Sequence, residues 1–322
     1  YKKQKKYENS LQKTLKKTQI GFFFMKFNYK KLKKNNLPYI IAEIGVNHDC
    51  SLNKAKKLIF YAKKGGADAA KFQTYKAEKL AKLDSKAYWD TNKEKTKTQY
   101  SLFSKYDKFE KSDYRKLSKY CKKIQIDFLS TPFDLDAVDL LRPLVPAFKI
   151  SSSDITNYPL LKKISKTKKP ILLSTGASDI NEIKNAVNIL KKGTKKIVVM
   201  HCILNYPTKD DDANLNMILD LKRNFPNFIL GYSDHTLPDK NMLNLTSAFL
   251  LGAKVIEKHF TLNKKLKGND HYHAMNFIDL KNLSKNLKKI SKILGVKKNK
   301  QVLKSEFKSR KFARRSIVAL KN

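Results

Sequence analysis

Short apolar runs alternate with amphipathic segments along this chain, and that alternation restricts its fold more than any other feature. The first run, Tyr39–Val46 (YIIAEIGV), is almost continuously apolar, as in a strand that is covered on both faces. A helical pattern follows from Ser51, a residue suited to cap a helix, to the stop at Gly65–Gly66. Eight such strand–helix pairs occur in about 255 residues, among them a short helix near Leu135–Leu141 and a fourth strand over Ala147–Asp154. They predict an α/β fold, the (β/α)₈ or TIM barrel.

Polar residues stand at or near the end of every predicted strand. A barrel of this kind carries its active site at the carboxyl ends of its strands. Structural needs explain a few polar strand ends but not all of them, so the pattern predicts an enzyme. The residues concerned are Glu43, Asn47, Lys71, Gln73, Ser130, Thr131, Lys149, Ser152, Ser174, Tyr206, His235 and His259.

The stretch 76–112 is long, polar and interrupted by aromatic residues such as Tyr88, Phe103 and Tyr106. It is too long for a plain connection between two elements of a barrel. Long loops of this kind often cover a binding site. We therefore predict that this stretch covers the active site.

Two of the six histidines, His235 and His259, end the seventh and eighth predicted strands, and each is close to an acid, Asp234 or Glu257. They could bind a metal ion, or each could be a hydrogen-bonded histidine in a polar pocket. Two histidines without a tight i, i+4 repeat leave both interpretations open.

The net charge is +41, from 69 Lys and Arg against 28 Asp and Glu. The lysines occur in nearly every segment, which favours solvated surfaces over a dedicated nucleic-acid site.

No apolar run approaches the roughly 20 residues that span a bilayer, so no membrane segment is expected. Cys50, Cys121 and Cys202 are far apart and odd in number, which indicates no disulfide framework and favours the cytoplasm.

Three regions are expected along the chain. Residues 1–38 form a basic extension, predicted to be partly disordered, whose apolar piece Ile20–Met25 is too short for a signal peptide. Residues 39–296 form the catalytic barrel. Residues 297–322 form a linker and the start of a further domain.

Several motifs, in order along about 39–300, resemble the sialic acid (N-acetylneuraminate) synthase family, which includes legionaminic and pseudaminic acid synthases. They are IAEIGVNH (41–48), AAKFQTY (69–75), STPFD (130–134), FKISSSD (148–154), ILLSTG (171–176), HCILNYPT (201–208), GYSDHT (231–236) and EKHF (257–260). The resemblance implies that phosphoenolpyruvate condenses with the open-chain aldehyde of an N-acylated hexosamine, releasing phosphate. It also implies a divalent metal, Mn or Mg.

The resemblance assigns a role to each matching position. It implies metal ligation by His235 and His259, and catalytic roles for Glu43 and Asp154. The implied substrate-binding residues are Lys71, Gln73, Ser130, Thr131, Lys149, Ser152, Ser174, Tyr206 and Asp270. From the residues alone, the two lysines could instead pair with neighbouring acids, and Tyr206 could be a packed aromatic at a strand end.

The chain departs from the family pattern in places that bear on the sugar. Asp154 stands where bacterial N-acetylneuraminate synthases usually have glutamate, and Leu204 replaces an asparagine of some relatives. The segment NDHYHAM (269–275) introduces the bulky Tyr272 and His273 where small residues are usual. The sugar therefore stays open between N-acetylmannosamine and a 2,4-diacetamido sugar, while the expected reaction type is unchanged.

Members of the family usually continue into an antifreeze-like domain, which supplies an arginine to the partner's site in a homodimer. The segment SRKFARRSIVALKN (309–322) resembles the entry to that domain. We expect a fragment or a truncated chain in which that domain is largely missing, and a homodimer if it is present.

Two alternatives stay in consideration. One is a related barrel that condenses phosphoenolpyruvate with a phosphorylated sugar. The other is a catalytically impaired barrel that acts as a binding protein and attaches to polyanions through its positive charge.

Overall fold

The computed structural model describes residues 27–317 except 93, 269 and 298. The greater part of the predicted basic extension, residues 1–26, lies outside the described residues, as do residues 318–322. Within the described residues, no helix is both long enough and apolar enough to cross a lipid bilayer.

Eight parallel strands form a nearly closed barrel, which confirms the predicted fold. Hydrogen-bonded neighbours follow the order β3-β2-β1-β8-β7-β6-β5-β4, and the end strands β3 and β4 lie side by side. The strands are β1 Tyr39–Gly45, β2 Ala69–Thr74, β3 Asp127–Pro132, β4 Phe148–Ile150, β5 Ile171–Ser174, β6 Ile197–Cys202, β7 Ile229–Asp234 and β8 Val255–His259.

Helices follow the strands and cover the outside of the barrel. Ser51 caps the first predicted helix as expected, because its side chain accepts a hydrogen bond from the Lys54 amide at 3.3 Å. The α-helices are Tyr29–Lys34, Leu52–Gly65, Ala77–Leu80, Gln99–Tyr106, Lys111–Ile124, Leu135–Leu141, Tyr158–Lys166, Ile180–Lys191, Met217–Asn224, Leu243–Leu250, Phe277–Leu294 and Phe307–Ala313.

The fourth strand is shorter than the sequence predicts. We expected a strand over Ala147–Asp154, but β4 ends at Ile150 and a 3₁₀ turn occupies Ser152–Asp154. The Ile155 amide donates to the Ser152 carbonyl at 3.3 Å, which is the i to i+3 bond of a 3₁₀ turn. The turn brings Ser152 to the carboxyl end of the barrel, where the candidate site lies.

The amino end of the barrel is covered by residues just before β1. The Phe27 amide and the Tyr39 hydroxyl both donate to Asp127 Oδ2, at 2.5 and 2.6 Å. The Tyr29 hydroxyl donates to the Ile197 carbonyl at 3.0 Å. Phe27 and Tyr29 belong to the stretch that was predicted to be an extension, and they bond to the starts of β3 and β6.

The described side chains from 299 to 317 are exposed to solvent, and the short helix Phe307–Ala313 lies among them. The assignment of 297–322 to a linker and the start of a further domain stays a prediction.

A buried ion pair joins the ends of β7 and β8. Lys258 Nζ lies 2.7 Å from Asp234 Oδ2 and 2.6 Å from the Thr236 carbonyl. The other carboxylate oxygen accepts bonds from the Tyr232 hydroxyl and from the amide and hydroxyl of Thr236. Every polar atom of the pair therefore has a partner, as a buried pair requires.

Removing one member of this pair should destabilise the fold. Lys258→Met would leave the Asp234 carboxylate buried without its cation, and we expect a loss of about 3–5 kcal/mol in the free energy of unfolding. Urea denaturation measures this loss.

The matched control is Lys163→Met, because Lys163 pairs with Asp139 on the surface. That variant should lose less than about 1 kcal/mol. Equal losses in the two variants would contradict the role that we give to the buried pair.

Candidate active site

A cavity of about 390 Å³ opens at the carboxyl ends of the strands, and all but three of the predicted site residues line it. The strand positions bring them together, because side chains two residues apart on a strand face the same way. The lining residues are Glu43, Lys71, Gln73, Thr131, Phe133, Lys149, Ser151, Ser152, Ser174, Cys202, Leu204, Tyr206, Ser233, His235, Glu257 and His259.

The three exceptions are Ser130, Asp154 and Asp270. Ser130 alternates with Thr131 on β3, and its hydroxyl pairs with that of Thr74 at 2.7 Å, so the structure does not bring it into the cavity. Asp154 lies in the 3₁₀ turn and accepts a bond from Asn157 at 3.1 Å. Its other oxygen is buried without a hydrogen-bond partner in the described part of the chain, and burial raises its pKa to about 6. Asp270 lines a neighbouring cavity instead.

Two lysines and two glutamates form a buried cluster inside the first cavity. Lys71 Nζ lies 2.5 Å from Glu43 Oε2 and 3.6 Å from Glu257 Oε1. Lys149 Nζ lies 3.0 Å from the same Glu257 oxygen, which also accepts a bond from Ser233. The lysines therefore pair with neighbouring acids, which was the alternative to substrate binding in the sequence analysis. They also line the cavity.

The two carboxylates of this cluster differ in charge state. Burial, opposed by Lys71 and reinforced by Glu257, raises the pKa of Glu43 to about 7. For Glu257, burial is outweighed by Lys149 and Lys71, which lower its pKa to about 2. Glu257 therefore stays ionised as the counter-ion of the two lysines, while Glu43 changes its charge near neutral pH; when Glu43 is protonated, the cluster carries an excess of positive charge.

Hydroxyl groups surround the lysines on the side of β3 to β5. Thr131 Oγ1 accepts a bond from Lys71 at 3.2 Å, and Ser152 Oγ accepts one from the Gly176 amide at 2.9 Å. Ser174 Oγ is buried and has no partner among the residues that the structure describes. A buried hydroxyl of this kind, in the same cavity as two ammonium groups, suits an anionic ligand.

A second cavity of about 520 Å³ adjoins the first and shares Gln73, Tyr206 and His259 with it. The predicted cover, 76–112, contributes four of its lining residues. The full lining is Val46, Gln73, Tyr75, Tyr88, Leu102, Phe103, Tyr106, Tyr206, His259 and Asp270.

Gly45, which sequence reasoning did not single out, allows the walls of the two cavities to meet closely. Its φ is +53°, a conformation that favours glycine. A Cβ atom at this position would lie 3.3 Å from Glu43 Oε1 and 3.4 Å from Asp270 Oδ2. The signal in the sequence is a glycine inside an otherwise apolar strand.

His235 and His259 face each other with ring centroids 5.8 Å apart, and their free nitrogens suit a weakly held metal ion. His235 Nδ1 bonds to the Ile203 carbonyl at 2.7 Å, which leaves Nε2 available. His259 Nδ1 is buried without a hydrogen bond to any described residue. Burial lowers the pKa of His235 to about 4 and holds the pKa of His259 well below its ordinary value, so both rings are neutral.

The described residues contain no group of three or more His, Cys, Asp or Glu arranged to hold a metal. Two imidazoles would therefore leave most coordination positions to water and substrate. Asp270 Oδ2 lies 3.5 Å from His259 Nδ1 and is the nearest acid to that ring that the structure describes. His235 and His259 therefore fit a divalent ion that is weakly bound and exchanges readily.

Tyr206 and the bulky segment Tyr272–His273 surround the two histidines. The Tyr206 ring lies 4.1 Å from that of His235, and the His273 ring lies 4.9 Å from that of His259. The Tyr272 hydroxyl donates to the Tyr206 carbonyl at 3.1 Å. Tyr206 is therefore packed on a histidine, as one interpretation expected, and it also lines both cavities.

The fold and the site together define the class of protein, a (β/α)₈ barrel with a polar, lysine-bearing pocket at the carboxyl ends of its strands. Comparison with protein-family models finds the NeuB family over residues 58–299. The chain belongs to the NeuB family.

Known proteins of similar sequence agree with this assignment. An uncharacterized protein of Methanocaldococcus jannaschii is 43% identical over 92% of this chain and 84% of its own length. The N,N'-diacetyllegionaminic acid synthase of Campylobacter jejuni is 42% identical over 88% of this chain and 85% of its own. The crystal structure of the N-acetylneuraminic acid synthetase of Leptospira borgpetersenii superposes with a TM-score of 0.75, at 33% identity, over 86% of this chain and 92% of that one.

The raised pKa of Glu43 predicts a pH-dependent effect of Glu43→Gln. A group whose pKa is raised by folding stabilises the fold below its unfolded pKa, and that stability is lost as the pH rises through the folded value. The wild type should therefore lose stability between pH 5 and 8 where the glutamine variant does not. We expect the variant to gain about 2 kcal/mol relative to the wild type over this interval.

Urea denaturation at pH 5 and pH 8 measures this gain. Glu78→Gln, on an exposed position of the helix Ala77–Leu80, is the control and should change stability by about 0.5 kcal/mol at most. A constant difference between wild type and Glu43→Gln at the two pH values would show that Glu43 is not held protonated.

Proposed function

We propose that this chain condenses phosphoenolpyruvate with the open-chain aldehyde of an N-acylated hexosamine, giving a nonulosonic acid and phosphate. The observation that carries the proposal is the pair of joined cavities, one containing two lysines and the other walled by aromatic residues. Membership of the NeuB family, with relatives named as legionaminic and sialic acid synthases, supports it.

The first cavity suits phosphoenolpyruvate, which brings a phosphate and a carboxylate. Lys71 and Lys149 supply two ammonium groups, and Ser152, Ser174 and Thr131 supply hydroxyl donors near them. Glu257 holds both ammonium groups in place when no ligand is bound. An anion can then displace the weaker of these contacts without leaving a carboxylate unpaired.

Mn or Mg would be held by His235 and His259. When bound, such an ion supplies Lewis-acid polarisation of the aldehyde oxygen. Two features of the chain suit metal binding. Both imidazoles are neutral, and the bond to the Ile203 carbonyl fixes the orientation of the His235 ring.

Glu43 is placed to handle protons between the two substrates. In the reaction, C3 of phosphoenolpyruvate bonds to the aldehyde carbon, and the aldehyde oxygen gains a proton to become a hydroxyl. Water adds to C2 and gives up one proton. The C2–O bond to phosphate then breaks, C2 becomes a carbonyl, and the proton of its hydroxyl leaves with the phosphate. A carboxyl with a pKa of about 7 can accept the proton of the water and release it again at neutral pH.

The direct test is phosphate release. With phosphoenolpyruvate, Mn and a panel of N-acylated hexosamines, we expect release that depends on one of the sugars and stops when a chelator is added. Mass spectrometry of the product should show the sum of the sugar and the pyruvate unit. No release with any sugar and metal would favour the catalytically impaired binding protein instead.

The metal site can be tested without turnover. Mn binding, followed by electron paramagnetic resonance, should weaken by about tenfold or more in His235→Ala. Turnover should be abolished in the same variant while its far-UV circular dichroism stays that of the wild type.

His201→Gln is the matched control, since His201 is also buried near the end of a strand but bonds to the Ala213 carbonyl and lines neither cavity. It should bind Mn as the wild type does. Equal Mn affinity in the wild type and in His235→Ala would exclude His235 as a ligand.

A further inference from the structure

His273 is a buried polar side chain that the proposed reaction does not use. It is 0% exposed, and neither of its ring nitrogens has a hydrogen-bond partner among the residues that the structure describes. A buried polar atom without a partner costs roughly 1–3 kcal/mol, and an apolar side chain would avoid that cost. His273 lines neither cavity, so contact with a substrate does not account for it. The explanation must lie in its neighbours.

The carboxylate of Asp270 lies between two imidazole rings. Its Oδ2 is 3.5 Å from His259 Nδ1, and its Oδ1 is 3.8 Å from His273 Nε2. The two rings are nearly perpendicular, at 76°, with centroids 4.9 Å apart. His259 Nδ1 is also buried without a hydrogen-bond partner in the described part of the chain. A movement of roughly 0.5–1 Å on each side would turn both contacts into hydrogen bonds.

The backbone around Asp270 is fixed to the end of β8. The Asn47 side-chain amide donates to the carbonyls of Phe260 and Asp270, at 3.1 and 3.2 Å. The Met275 amide donates to the His259 carbonyl at 2.8 Å. The segment that carries Asp270 is therefore held beside His259 by bonds within the chain itself.

A carboxylate at His259 Nδ1 determines which nitrogen of this ring carries the proton. With Asp270 as the acceptor, Nδ1 carries it, and Nε2 keeps the lone pair that a metal ion needs. His235 has the same arrangement with a different acceptor, because its Nδ1 bonds to the Ile203 carbonyl. The two histidines would then present the same nitrogen to one ion.

We propose that His273 is a positioning residue for His259. Its Nε2–H donates to Asp270 Oδ1 and holds the other oxygen against His259 Nδ1, so that His259 keeps the Nδ1–H tautomer. His273 acts through Asp270 and is not itself a ligand, because it lines neither cavity. The tautomer follows from contacts within the chain alone, whereas its use in metal binding rests on the proposed function.

A packing role for His273 is the competing explanation. Its ring also lies near those of Tyr206 and Tyr272, with centroids 5.6 and 5.1 Å away. Phenylalanine would retain such contacts and lose the donor, whereas glutamine would retain an N–H donor and lose the ring. His273→Phe and His273→Gln therefore separate the two explanations.

The tautomer of His259 can be measured in the metal-free protein. Long-range proton–nitrogen NMR spectra of the histidine-labelled chain at neutral pH, assigned with His259→Gln, distinguish the two ring nitrogens. We expect the Nδ1–H form to predominate in the wild type and in His273→Gln, and to lose about half of its population or more in His273→Phe. A wild type with the Nε2–H form at His259 would overturn the inference, and so would a folded His273→Phe variant with the wild-type tautomer.

Mn affinity, followed by electron paramagnetic resonance, is a second measurement that needs no turnover. His273→Phe should bind Mn about tenfold more weakly than the wild type, and His273→Gln should stay within about threefold of it. Equal affinity in the wild type and in a folded His273→Phe variant would overturn the inference. If the wild type binds no Mn, the metal site of the proposed function fails, and the tautomer decides the inference.

His201→Gln is the matched control for both measurements, because His201 is buried, bonds to the Ala213 carbonyl and lines neither cavity. It should retain the His259 tautomer and the Mn affinity of the wild type. Losses in this variant equal to those in His273→Phe would show a general effect on the barrel and would overturn the inference.

Discussion

The contact of Glu257 with two buried lysines is the interaction on which the interior of this barrel depends. Two ammonium groups inside a protein repel each other and lose their hydration, and a shared carboxylate offsets both costs. Because burial raises the pKa of Glu43 to about 7, that residue cancels the remaining positive charge only in part at neutral pH. The barrel can therefore hold an excess of positive charge at its carboxyl end before any ligand arrives.

Successive side chains of a strand point in opposite directions, so neighbouring residues at the ends of β7 and β8 have different roles. On β8, Glu257 and His259 line the cavity, while Lys258 between them bonds to Asp234 of β7. The buried pair fixes the two strand ends that carry His235 and His259. Lys258 thus stabilises the fold, while the residues on either side of it line the cavity. A substitution of Lys258 should therefore lower the stability and also disturb the positions of His235 and His259.

The barrel could be predicted from sequence because the alternation of apolar runs and helical patterns is local and strong, and the helix Leu135–Leu141 was predicted with its bounds. The site was harder. Ser130 and Thr131 are both polar, and only the register of β3 decides which one lines the cavity. Glu257 was noted as an acid beside a histidine, and its position opposite Lys149 depends on strands that are far apart in sequence. Local patterns carry no information about such distant pairs.

For the covering stretch 76–112, too, the sequence does not show which distant residues it contacts. Its position also explains how two unlike substrates could bind in one barrel. Its aromatic residues predicted a cover, but their meeting with Asp270 comes from the tertiary fold. The lysine-bearing and aromatic environments occupy separate cavities: Lys71 and Lys149 line the first, and the covering stretch lines the second. The two cavities are adjacent and share Gln73, Tyr206 and His259. If the proposed condensation is correct, the new carbon–carbon bond must form at this shared boundary, where each substrate lies in the environment that suits its own charge.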